Sequence, residues 1–152
     1  MKPVSDHEQE SGRCLECNTV CNICAEVCPN RANLMIAVNT QGLKNLNQIL
    51  HVDGMCNECG NCATSCPYSS EPYKTKLTLF WGEKEFQEST NSGVFIVDPA
   101  EAVVLLRLAG EICKVKFDAS GMADVPIDNS SAAFIWTIIK QYDYLYKIYP
   151  IL

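Results

Sequence analysis

Apolar and polar positions alternate over several short stretches of the 152-residue chain, and those stretches predict strands. Asn33–Val38 and Leu46–Val52 are short apolar runs separated by Gly42 and Asn45, so they predict a strand pair turning around Thr40–Asn45. Further along, Lys76–Trp81, Val94–Val97, Val103–Leu108 and Ile112–Phe117 read as strands, the last two flanking Ala109-Gly110, a tight hairpin. Glu83–Glu88 suits one helical turn. From Ser131 onward Phe134, Ile135, Ile138, Ile139, Tyr142, Leu145 and Tyr146 recur at helical spacing, with Asp128, Asn129 or Ser130 available as the cap.

Composition divides this pattern in two. Nine of the ten cysteines fall between Cys14 and Cys66, and the second half holds only Cys113. The reading is therefore an α+β chain of three parts. Residues 1–12 form a polar, disordered tail, residues 13–75 a two-cluster ferredoxin-like domain, and residues 76–152 a small β-rich appendage closed by a C-terminal helix.

So many cysteines suggest either a disulfide framework or metal. Met1–Ser11 is polar and acidic with no apolar core of a secretory signal, and the apolar stretch at Val103–Leu106 is interrupted by Arg107. A cytoplasmic chain with no membrane insertion is expected, and metal is favoured over disulfides. The net charge of −6, without any basic run, argues against nucleic acid as a partner. It suits docking to basic patches on redox partners, or merely keeps the protein dissolved.

The second cysteine run, Cys56-x2-Cys59-x2-Cys62-x3-Cys66-Pro67, has the spacing of bacterial ferredoxins. In that pattern three thiolates on a tight loop converge on one [4Fe–4S] cube, and the fourth ligates the neighbouring cluster. The first run is Cys14-x2-Cys17-x3-Cys21-x2-Cys24-x3-Cys28-Pro29. Counted back from Cys28-Pro29, Cys24 and Cys21 are in register and Cys17 is one residue early. Crossed ligation then assigns Cys17, Cys21, Cys24 and Cys66 to cluster 1, and Cys56, Cys59, Cys62 and Cys28 to cluster 2. Cys14 has no slot in the pattern and stands as a substitute for Cys17. Paired zinc sites compete, since each CxxC is also a zinc spacing. Two runs that both close in x3-Cys-Pro go beyond what zinc requires.

Other residues carry weaker signals. Asp53, Asn57 and Glu58 flank the second run, either tuning a cluster by charge or simply solvated. Cys113 reads as an apolar strand cysteine. His7 falls in the tail, and His51 reads as a surface or strand residue. Tyr142, Tyr144, Tyr146 and Tyr149 form either a docking face or the packing surface of a helix. Neither a dinucleotide fingerprint nor a phosphate loop occurs, and nothing resembles a nucleophile with its base, so no catalytic residue is assigned and the chain is no enzyme by itself.

Arg13–Asn33 and His51–Tyr68, followed by EPYKTKLTLF at Glu71–Phe80, resemble the C-terminal region of the selenate reductase iron–sulfur subunit family. In that family the region follows a flavin- and NADPH-binding portion similar to the glutamate synthase small chain. The resemblance implies two [4Fe–4S] clusters and electron transfer in anaerobic metabolism. The electron donor would be a flavoprotein, and the acceptor a molybdenum enzyme of the selenate reductase or xanthine dehydrogenase kind. The flavoprotein portion is absent here, so the chain reads as either an excised domain or a separately made short subunit. Two other functions compete with electron transfer in such a complex: a freely diffusing ferredoxin, and a structural cluster- or zinc-binding module without a redox role.

Overall fold

The computed structural model describes residues 21–38 and 47–147. The predicted tail, the turn around Thr40–Asn45, Cys14, Cys17 and Tyr149 lie outside them.

Among the described residues six strands form one mixed sheet, ordered as in the sequence: β1 (Asn33–Ala37), β2 (Asn47–Val52), β3 (Leu77–Phe80), β4 (Gly93–Asp98), β5 (Val103–Leu108) and β6 (Glu111–Lys116). β1 pairs antiparallel with β2, β2 and β3 are parallel, as are β3 and β4, and β4–β5–β6 is an antiparallel meander. The sequence reading places a boundary between residues 75 and 76. The sheet crosses it, because Leu50, His51 and Val52 of β2 pair with Leu77, Thr78 and Leu79 of β3. The β5–β6 hairpin turns on Ala109 and Gly110, both at positive φ (50° and 81°), the conformation that matches hairpin twist.

Successive side chains on a strand point to opposite faces, and each face has its own helical cover. On one face Ile36, Leu50, Leu79, Val94, Val104 and Leu106 form the main core with Phe134, Ile135, Ile138 and Ile139. Those four belong to helix α5 (Asn129–Gln141), whose N-cap Asp128 accepts a 2.8 Å hydrogen bond from Ser131 N. Tyr142 and Tyr146 pack against this core, and Tyr146 donates its hydroxyl to Ile139 O at 2.9 Å. Tyr144, in the short helix α6 (Tyr144–Lys147), is exposed. Helix packing therefore accounts for two of the four tyrosines.

The opposite face is covered by short helices: α1 (Ile23–Glu26), α2 (Asn61–Ser65), α3 (Pro72–Thr75) and α4 (Glu83–Glu88). α4 connects the parallel strands β3 and β4. It anchors through Phe86, which meets Phe80 edge-on at 5.5 Å between centroids. Arg107, only 4% exposed, lies over the Phe86 ring at 4.5 Å and donates to Phe86 O and Asn91 O at 2.7 and 3.2 Å. A buried guanidinium is tolerated there because carbonyls meet its donors.

Candidate iron–sulfur site

The cysteine-bearing helices sit on the β1–β2 end of this second face. α1 carries Cys24 and α2 carries Cys62, each the third ligand position of its run. Both are buried, 8% and 7% exposed, in a small apolar cluster with Ile49, bordered by Ala25, Val27, Met35 and Tyr73. Met35 and Ile49 are paired across β1 and β2 and supply the floor. The sequence repeat is thus a repeat in space, with equivalent cysteines brought together from residues nearly forty positions apart.

The loop that carries the second run is shaped by backbone geometry. A 3-10 turn (Asp53–Met55) leads into Cys56, and Glu58 and Gly60 both take left-handed conformations, at φ 57° and 78°. Gly60 then starts α2, and Cys66 ends it in an extended conformation before Pro67. Two left-handed residues within three turn the loop tightly enough to present Cys56, Cys59 and Cys62 from one short segment. Glu58 N donates to Cys56 Sγ, and Ala32 N to Cys28 Sγ, each at 3.2 Å. Amide donors to sulfur favour the thiolate that an iron ligand must be.

The two runs also meet electrostatically. Burial pushes the Cys56 thiol above its ordinary range, and the charges of Cys28, Cys62 and Glu58 push in the same direction, while the Glu58 amide opposes them. Cys28 thus acts on Cys56 although it closes the other run. Cys59 is exposed, Cys21 and Cys66 are half-buried, and none of the described cysteines is in a disulfide. Among the described residues no three His, Cys, Asp or Glu side chains close around a single metal-ion position.

Cys113 lies in β6, half-buried against the main core and away from this site, its thiol pushed up by burial first and then by Asp124 and Glu111. His51 is a strand residue of β2, buried to 2% exposure. It stands directly across from Asn33 on β1, and its Nδ1 is 2.8 Å from Asn33 Oδ1. Asn33 Nδ2 donates to Cys24 O at 3.2 Å. The signal for this pair was a polar residue inside each of two apolar runs, in register only once the strands are paired.

Beside the second loop a cleft of about 710 Å³ opens between Cys56–Glu58, α3 and α4, with His51 in its wall. Asp53 also lines it, its carboxyl raised above the ordinary range by burial first and then by Glu58 and Glu85. Among the described residues no helix is long and apolar enough to cross a membrane.

No family model matches the chain, and no solved structure matches it. It is 42% identical over 139 residues to the protein named "Putative oxidoreductase YgfK" of Escherichia coli strain K12, and to the same degree to that of Escherichia coli O157:H7. The similarity covers 90% of this chain and only 13% of each of these relatives. The chain is thus similar to one part of a much longer oxidoreductase.

Proposed function

We propose that this chain carries electrons through two [4Fe–4S] clusters as the iron–sulfur part of an oxidoreductase assembly. Cys17, Cys21, Cys24 and Cys66 hold one cluster, with Cys14 as the substitute for Cys17. Cys28, Cys56, Cys59 and Cys62 hold the other. The donor is an NADPH-dependent flavoprotein and the acceptor a molybdenum-containing oxidoreductase, so catalysis resides in the partners.

The observation that carries this reading is the meeting of the two runs in space: Cys24 and Cys62 share one buried cluster, and Cys28 lies near enough to Cys56 for its charge to raise that thiol. Ligation in two sequential sets, as in separate zinc knuckles, gives Cys28 no reason to lie near the second run. Crossed ligation does. The fit of the residues agrees: thiols outside any disulfide, amides donating to two of them, and apolar neighbours at Cys24 and Cys62. When bound, such clusters supply reversible one-electron storage. The chain's own residues fix the thiolates, shield two of them from water and leave Cys59 open to solvent. Similarity to an oxidoreductase of far greater length supports a role inside an assembly, not as a free carrier.

The test is anaerobic reconstitution of the full chain. About eight iron and eight sulfide per chain are expected, with two centres reducible in an EPR titration, as two four-iron cubes require. Stoichiometric zinc, or four of each, would sink it.

A further inference from the structure

The cleft beside the second cysteine loop has a chemical character of its own. Asn33 commits its amide nitrogen to Cys24 O, so its oxygen faces His51. An amide oxygen only accepts, so His51 Nδ1 carries the ring hydrogen and Nε2 is left as a bare lone pair. The residue is only 2% exposed, it lines the cleft, and Nε2 takes no partner among the described residues. Asp53, Glu58 and Glu85 line the same cleft, none of them ion-paired among the described residues. The one cation in the lining, Lys74, is paired with Glu71 at 3.6 Å, so a fixed nitrogen acceptor and an excess of carboxylates around one cavity call for a ligand rich in N–H donors and positive charge.

The geometry points to this cleft as the socket in which a basic segment of the redox partner docks, an arginine or lysine side chain donating to His51 Nε2 while Asp53, Glu58 and Glu85 neutralise its charge. Arginine fits best, having five donors and no acceptor in a rigid fork. The position suits the role, because Cys56 lines the same cleft and a partner seated there stands beside the second set of thiolates. This inference rests on the electron-transfer reading, and it deepens that reading by naming where the partner binds.

Two probes on the full chain separate the socket from the clusters. The first is a fluorescein-labelled tetra-arginine peptide, followed by anisotropy at low salt. Glu85→Gln/Glu88→Gln, on exposed α4 positions away from the cysteine runs, should weaken its binding about tenfold, the scale on which local charge acts on association. Glu101→Gln/Glu111→Gln, the same charge change at the far end of the sheet, should leave it unaltered. Equal effects from both pairs, or none from either, overturn the socket.

The second probe is hexaammineruthenium(III), a trication bearing N–H donors that takes one electron from the dithionite-reduced protein and becomes ruthenium(II), with no bond made or broken. The Glu85/Glu88 pair should slow this step about tenfold and leave oxidation by anionic ferricyanide no slower. If ferricyanide oxidation slows as well, the variant has damaged electron transfer and not docking, and the socket is overturned. A chain with no reducible centre fails the electron-transfer reading, and the peptide measurement still decides the socket.

Discussion

His51 and Asn33 face each other across β1 and β2, their side chains 2.8 Å apart and His51 only 2% exposed. Burial lowers the His51 pKa from an ordinary 6.5 to about 4. Above pH 6.5 the ring is neutral in both folded and unfolded chains, and it adds no pH dependence. Below that, the unfolded chain takes up a proton that the folded one refuses, so stability falls as pH drops from 6.5 towards 4. Between pH 7.5 and 5 the loss assigned to this one group is about 2 kcal/mol, or roughly 5 °C in Tm for a chain of this size. His51→Gln should remove that part of the acid sensitivity. Thermal midpoints of both proteins at the two pH values check it, and parallel falls would show that other groups carry the effect.

Gly93 makes a different kind of demand. A Cβ built there strikes the Thr78 backbone oxygen and comes within 2.6 Å of the Phe80 ring. Thr78 is its partner in the parallel β3–β4 ladder, so the obstruction is backbone and cannot swing aside. Gly93→Ala should destabilise by about 1–3 kcal/mol, as overpacking does. Gly110→Ala is the contrast, because nothing lies near its Cβ and only its left-handed conformation is strained; about 1–2 kcal/mol is expected there. The difference between them lies in strand pairing. Hydrogen exchange at β3 and β4 amides should quicken in Gly93→Ala and stay unchanged in Gly110→Ala.

The strands were legible because each had a bounded apolar run, and the hairpin because Ala109-Gly110 separates two of them. Helix α5 followed from its 3.6-residue period, and Asp128 was among its named caps. What the sequence does not display is the joining of β2 to β3. β3 is buried at all four positions and β2 at five of six. A strand enclosed on both faces shows no alternation, so neither its partner nor its face can be read from its pattern. The cysteine spacing was legible as chemistry for a similar reason in reverse, since ligand geometry is local to each loop. The enclosure of His51 was not, because it depends on Asn33, eighteen residues away and aligned only by β1–β2 register. The cleft was out of reach too, as its walls come from four separate segments.

Crossed ligation gives the most direct test of the site. Cys28 lies near enough to Cys56 for its charge to raise that thiol, whereas in sequence it follows Cys21 and Cys24. Cys28→Ser should therefore perturb the same EPR signal as Cys56→Ser, leaving the centre altered by Cys21→Ser intact. If Cys28→Ser instead tracked Cys21→Ser, each run would hold its own metal and the crossed arrangement would be wrong. Loss of one thiolate should appear as a three-iron centre or as loss of about four iron per chain.

The last prediction concerns Cys14 and Cys17, both outside the described residues. Cys17 lies one residue from the slot that the spacing requires, and Cys14 lies four from it. A loop wrapped around a cube accommodates one added residue more readily than four, since every extra amide near the cluster must also find a partner. Cys17→Ala should therefore lose or convert one centre, and Cys14→Ala should leave both. The signal to follow is that of a three-iron centre in the oxidised protein, together with iron content. A three-iron signal in Cys14→Ala but not in Cys17→Ala would exchange the assignment. If neither variant shows it, either cysteine suffices, and only Cys14→Ala/Cys17→Ala should lose the centre. That outcome would make the first run a loop with two competing ligands, able to keep its cluster when one thiol is oxidised.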